Sequence, residues 1–379
     1  MQNSSRKLVA SLIIYLIINV MFIVKYSARI SYKLSVVVAI TYTISVCIAL
    51  FILKRIRFKR KSILLFLILS YIILLAIGQT IIDPYQLKVD RWSAIHNFLH
   101  NLFHGIYPYA AQTHLGGYGS PFPIWQFFHI PFYLLGNVGL SFFFSLGIFF
   151  ASVWKNFTAK QLSCMCLLIL LSPAIMYECI VRSDLISNFL LLASFVNYLY
   201  FNSANIEKHW KKTAFVIGLF LSTRLSTAIP FFIYIFPIYS KFSKWKQILF
   251  PVYILCIFII TFIPFMFWNG EMLFFFQYNP FILQTRQGSM IIILLLIPVY
   301  FYLSLSWKGN YRLLMCNIAL AMITLVAVTF IYNMYTTDTW NELFQSRYDI
   351  TYFDMSLPFL LSSISSSYEK GYSLPCSPR

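Results

Sequence analysis

Nine stretches of the chain, 8–27, 34–53, 62–82, 161–178, 185–201, 248–268, 289–306, 313–333 and 351–366, are nearly continuous apolar runs. A helix needs about 20 such residues to cross a bilayer. Between the runs lie short connectors rich in Lys and Arg. Surface helices of soluble domains carry a polar stripe, which these runs lack. Composition agrees: 60% of the 379 residues are hydrophobic and 11% charged, against about 45–50% and about 25% in soluble domains. The pattern predicts an all-α polytopic membrane protein, one integral domain over 1–379 with about ten to twelve spans. Residues 121–153 are too long for one span and short for two. Residues 213–240 are interrupted by Arg224, Pro230 and Pro237, so broken or re-entrant helices are expected in both regions. The first run is followed by Lys25 rather than a small-residue cleavage site, and reads as a retained span.

A net charge of +18 would suit nucleic acid, but its distribution excludes that partner. The run 54–61 places six basic residues in eight positions, and such runs stay in the cytoplasm. Alternating sides from there puts 20 of the 29 basic residues inside, with only Glu207 and Glu369 as acids. Both termini and a tail at 365–379 are then cytoplasmic, and the loop 83–120 faces outward. The first outer turn, with Lys25, Arg29 and Lys33, runs against the trend. Beyond it the outer basic residues are Lys88, Arg91, Arg182, Arg224, Arg286 and Arg347, mostly Arg, which suits bidentate phosphate or carboxylate contacts. Arg182 and Arg224 border apolar runs and need partners, for which Asp184, Glu178 and Asp90 are the candidates. The seven Cys fit neither a disulfide framework nor a zinc spacing.

The outer loop is the polar exception. Residues 83–123 hold two Asp, four of the six His and a Gly/Tyr/Pro cluster. From Arg91, Trp92, Ile95, Phe98, Leu99, Leu102, Phe103 and Ile106 form one helical face, and His96, Asn97, His100, Asn101 and His104 form the other. This predicts an amphipathic helix lying at the membrane interface and stopped by Gly105. Asp90 stands at its N-terminus, as a cap or as a chemically active carboxylate. The His stripe reads as the helix's polar face rather than a metal site, because no acid lies within it. Tyr107, Tyr109 and Tyr118 offer flat faces and hydroxyls, which suit sugar rings or a bilayer interface.

An acid after a span, an amphipathic helix, then Gly105-Ile106-Tyr107-Pro108-Tyr109 and a Tyr/Pro-rich approach to the next span, through Tyr118, Pro121 and Pro123, resembles the first outer loop of the GT-C superfamily. Those are integral membrane glycosyltransferases that use polyprenyl-phosphate sugars. Arg182-Ser183-Asp184, Arg224 in a broken mid-chain helix, Pro264-Phe265, Tyr278-Asn279-Pro280 and Arg347-Tyr348 are similar more loosely. The resemblance implies sugar transfer to a hydroxyl acceptor on the extracytoplasmic face, by inverting displacement with Asp90 as base. It implies donor contacts from Arg224, Arg347, Arg182, Asp184, Arg91, Tyr107, Tyr109 and Tyr118. The partners would be a lipid-linked sugar donor, a glycan or lipid acceptor and membrane lipids, in a bacterial inner membrane. The family often pairs acids near this site, whereas Arg91 follows Asp90 here, which leaves a divalent cation open. A transporter or flippase of lipid-linked sugars, or a polymerase, is the alternative. A transporter is expected to carry internal repeats, and none is visible.

Overall fold

The computed structural model describes residues 2–56, 61–202, 205–340 and 349–368. Arg57, Lys59 and Arg60 of the basic run, Arg347, and the tail from 369 lie outside the described residues. The helices, in order, are α1 (Gln2–Ser27), α2 (Tyr32–Arg55), α3 (Lys61–Ile81), α4 (Arg91–Phe103), α5 (Pro123–Phe128), α6 (Ile130–Leu134), α7 (Leu140–Trp154), α8 (Ala159–Leu170), α9 (Pro173–Ile180), α10 (Leu185–Phe201), α11 (Trp210–Leu221), α12 (Ala228–Tyr239), α13 (Lys244–Phe274), α14 (Pro280–Gln284), α15 (Met290–Ser306), α16 (Tyr311–Thr337) and α17 (Leu357–Ser365). Among the described residues there is no strand, only one antiparallel bridge between Gln112 and Tyr118.

Five helices, α1, α2, α3, α13 and α16, are long and apolar enough to cross a membrane. The bent pair α8–α9 makes a sixth candidate, and α7, α10, α15 and Leu225–Tyr239 are shorter apolar helices. The chain is therefore an all-α, multi-pass membrane protein. The apolar window of α16 is 67% buried, against 17–28% in the other four, which makes α16 the central pillar and the others lipid-facing. In lipid the pillar is held by close packing rather than by exclusion of water.

Three regions are interrupted: one run expected as a single span, and the two where broken or re-entrant helices are expected. The run 161–178 is not one straight helix but bends by 62° between α8 and α9. Ser172 caps α9 by accepting from the Ile175 amide (3.3 Å), and Pro173 takes its first position, so the ladder must restart there. Residues 213–240 fold back on themselves: Trp210 packs on Tyr253 and Tyr239 on Phe250, which puts the start of α11 and the end of α12 beside the first turns of α13. The reversal between them carries Arg224. Residues 121–153 form the short α5 and α6 followed by α7.

Hydrogen bonds define two ends of this bundle. At one, Lys61 Nζ donates to the Trp154 carbonyl (2.7 Å), Lys160 Nζ to that of Lys54 (2.9 Å), and Arg312 to that of Ser366 (3.1 Å). Lys246 pairs with Glu207 there (3.2 Å). At the other end the Phe122 amide donates to the Thr223 carbonyl (3.2 Å) and Gln284 Nε2 to that of Ser120 (2.7 Å). The polar loop belongs to this second end.

Candidate functional site

The polar loop builds its own small core. Trp92, Ile95, Phe98 and Leu99 of α4 are buried with Tyr107, Tyr109, Phe122 and Trp125 against Phe262, Phe265 and Leu273 of α13. Phe103 and Ile106, expected on the same face, are instead exposed. The Tyr107 and Tyr109 hydroxyls point to the carbonyls of Phe265 (3.4 Å) and Pro121 (3.5 Å). Their rings join α4 to α13.

Next to this core lies a cavity of about 490 Å³. Its wall carries six charged residues, Asp90, Arg91, Asp184, Arg224, Arg286 and Asp349, with Thr113, Gly117, Tyr118, Asn333 and Tyr352 among the others. They come from the ends of α11, α14 and α16, from the starts of α4, α10 and the 3-10 helix Ile350–Ser356, and from the loop 113–121. All these termini lie at the end opposite the basic connectors.

Asp90 occupies the N-cap position of α4 without capping it: its side chain makes no hydrogen bond to the helix amides. Its carbonyl starts the helix by accepting from the Ala94 amide (3.0 Å). The carboxylate is turned away, and Oδ2 accepts from Thr113 Oγ1 (2.8 Å). Thr113 is itself held by a turn, with Thr113 N donating to Gly117 O (2.8 Å) and Gly117 N to Thr113 Oγ1 (2.9 Å). A Cβ on Gly117 would lie 3.0 Å from Asp90 Oδ2 and 3.3 Å from Thr113 Oγ1, so any larger residue there would crowd the carboxylate. Among the described residues Asp90 has no cationic partner. The Gly-rich turn also presents Tyr118, which stacks on Tyr278 (5.6 Å) and whose hydroxyl accepts from Gln112 (2.9 Å).

The other two acids of the wall, Asp349 and Asp184, are paired. Arg91 donates to Asp349 (2.5 Å) and to Thr351 (2.9 Å), while its guanidinium covers the Tyr352 ring (5.0 Å). Burial pushes the Asp349 carboxyl up, but the Arg91 charge and the Thr351 hydrogen bonds outweigh it and hold Asp349 below the ordinary carboxylate range. Deeper in, Arg224 is ion-paired to Asp184, and both are about 2% exposed or less. Trp125 Nε1 donates to the same Asp184 oxygen (2.6 Å). Of the expected partners for Arg224, the structure thus selects Asp184.

Among the described residues Arg182 pairs with no carboxylate. Its backbone sits in the left-handed region (φ 56°), and its guanidinium donates to the carbonyls of Gln79 and Ile82 at the end of α3. That contact satisfies carbonyls a helix C-terminus leaves open, and keeps Arg182 out of the cavity wall. Of the residues singled out from sequence, the cavity gathers Asp90, Arg91, Tyr118, Asp184 and Arg224. It leaves out Tyr107, Tyr109 and Arg182, and Arg347 lies outside the described residues. Asp349, Thr113, Asn333 and Tyr352 join the wall without having been singled out. Among the described residues no group of three or more His, Cys, Asp or Glu converges as a metal site. The His stripe is engaged locally: His104 Nδ1 contacts the His100 carbonyl (2.7 Å) and His96 contacts Asn97 (3.1 Å).

Comparison with protein-family models, with curated proteins and with solved structures returned no match.

Proposed function

We propose that this chain transfers a sugar from a polyprenyl-phosphate donor to a hydroxyl acceptor at the extracytoplasmic face of a bacterial inner membrane. The observation that carries the reading is Asp90: a carboxylate with no cationic partner among the described residues, held by Thr113, in the wall of a cavity that also presents guanidinium groups. A general base must keep its charge available, and an ion-paired acid does not. Asp90 takes the proton of the acceptor hydroxyl as that oxygen bonds to the sugar's anomeric carbon. The bond from that carbon to the phosphate oxygen breaks, and its electron pair leaves with the polyprenyl phosphate. Attack opposite the leaving group inverts the anomeric configuration.

Orientation rests on charge. The Lys-rich connectors gather at the end opposite the cavity, which the positive-inside tendency assigns to the cytoplasm. A transporter is disfavoured by the sequence, which shows no internal repeat. Below the Asp184–Arg224 pair, Leu185, Ile186 and Phe189 are fully buried in apolar packing, and Ser187 and Asn188 bring buried polar groups to the same stretch of α10. The end of α4 and the turn after it, with Phe103 and Ile106 exposed, are read as touching the outer bilayer surface.

Two measurements test the reading. With Cys47 and Cys256 replaced, a cysteine at the exposed Tyr85 should react with an impermeant maleimide added to intact spheroplasts. Reaction only after lysis would reverse the orientation. In detergent, purified protein given radiolabelled polyprenyl-phosphate sugars and candidate acceptors should form product without any membrane gradient. Gly117→Ala should lower that transfer about 10- to 100-fold, because the new methyl pushes Asp90 from its place beside Thr113. Full activity in this variant would mean that the placement of Asp90 does not matter.

A further inference from the structure

Three arginines line the cavity, but two are already committed. Arg91 is held by Asp349 and Thr351, and Arg224 is buried against Asp184. Recruiting Arg224 for a ligand would strand the Asp184 carboxylate in a poorly hydrated place, and recruiting Arg91 would break its bonds to both Asp349 and Thr351. Arg286 differs: it is exposed, it lines the same cavity, and among the described residues it forms no ion pair.

Its backbone is held firmly for a residue on a lip. Arg286 lies in the 3-10 turn Thr285–Gln287 between α14 and α15. Before it, Leu283 and Gln284 are buried, and Gln284 Nε2 ties the turn to the Ser120 carbonyl on the loop wall (2.7 Å). After it, Gly288 lies so close to α16 that a Cβ would come within 2.7 Å of Leu325. The outward side of the same segment is apolar and uncovered: Ile282 is 49% exposed, Met290 68% and Ile291 56%. A guanidinium on a held backbone, with no ion pair among the described residues, thus stands where a polar cavity meets an uncovered apolar surface.

We propose that Arg286 grips the phosphate of a lipid-linked ligand at the cavity mouth, while the hydrocarbon chain leaves over α14 and the first turn of α15. This rests on the transferase reading for its ligand class, but not for its geometry. A guanidinium offers parallel donors matched to phosphate oxygens, and Arg286 breaks no ion pair among the described residues to make them. Arg286 and Asp90 are then the two cavity charges left for the ligand, one at the leaving phosphate and one at the incoming hydroxyl.

The test needs no sugar, so its outcome is independent of whether Asp90 acts as a base. Farnesyl phosphate, farnesol and inorganic phosphate are titrated separately into the detergent-purified full chain, with binding followed by intrinsic tryptophan fluorescence. Farnesyl phosphate should bind at least about tenfold more tightly than either fragment. Arg286→Gln should cost about tenfold or more of that affinity, and Arg286→Lys should recover part of it. In unmutated protein, farnesyl phosphate should protect Arg286 from phenylglyoxal, read by peptide mass spectrometry, which removes any dependence on how the variants fold. Unchanged affinity in Arg286→Gln, or equal modification of Arg286 with and without ligand, would overturn the proposal. Equal binding of farnesol would also overturn it, because the chain alone would then be recognised; equal binding of inorganic phosphate would exclude the lipid path.

Discussion

Asp90→Asn should reduce sugar transfer by about 10³-fold while leaving the purified protein as stable as the parent. The magnitude is that of a lost general base in a site whose other contacts survive. Asparagine keeps the shape, and its amide oxygen still accepts from Thr113, so the turn 113–117 need not move. What disappears is the ability to take a proton. A capping role would give a different result, because losing a cap weakens the helix by about 1 kcal/mol and lowers the melting temperature. The side chain makes no capping hydrogen bond, so stability and activity should separate. Transfer assays on detergent-purified parent and variant, with melting curves at one scan rate, decide between them. Near-parental transfer in the variant would remove Asp90 from the chemistry and the transferase reading with it.

Much of the fold was legible because lipid imposes simple rules. Apolar runs of about 20 residues leave few choices, and α1, α2, α3, α13 and α16 follow them closely. Period 3.6 in 91–103 identified α4, and the Gly/Tyr turn beyond it proved to be the wall that holds Asp90. Local signals for the bend at 172 were also present. Ser-Pro is a helix start, and reading 161–178 by hydropathy alone passed over it. The cavity's far wall was beyond reach for a different reason. Arg91 meets Asp349 across 258 positions, and nothing periodic links them. Charge counting could place both outside but could not pair them. Tyr107 and Tyr109 show why ring chemistry alone does not place a residue: aromatic rings that suit a sugar also suit a core, and here α13 supplies rings they pack on. Arg182 reads as a ligand contact from its neighbours Ser183 and Asp184, yet the left-handed turn sends it back to the end of α3.

The Arg224–Asp184 pair is expected to matter more for folding than for ligand contact, and a double-variant cycle can separate the two. Arg224→Met leaves the Asp184 carboxylate buried, with Trp125 Nε1 as its remaining partner. Removing one member of a buried pair costs about 3–5 kcal/mol, because the other charge stays desolvated. Asp184→Asn alone should cost a similar amount by stranding Arg224. Arg224→Met with Asp184→Asn removes both charges, and the Asn oxygen still accepts from Trp125, so most of the loss should be recovered. Cycles of this kind isolate the pair term when each change creates no new contact. Unfolding midpoints in an SDS titration of the four proteins would give it. Additive losses would mean that the two side chains act separately. A strong recovery would mean that the pair is the floor of the cavity: it closes the apolar core beneath and holds the reversal at 222–227 and the start of α10 together. The fixed wall against which Asp90 and Arg286 face each other would then depend on a contact that never touches the ligand.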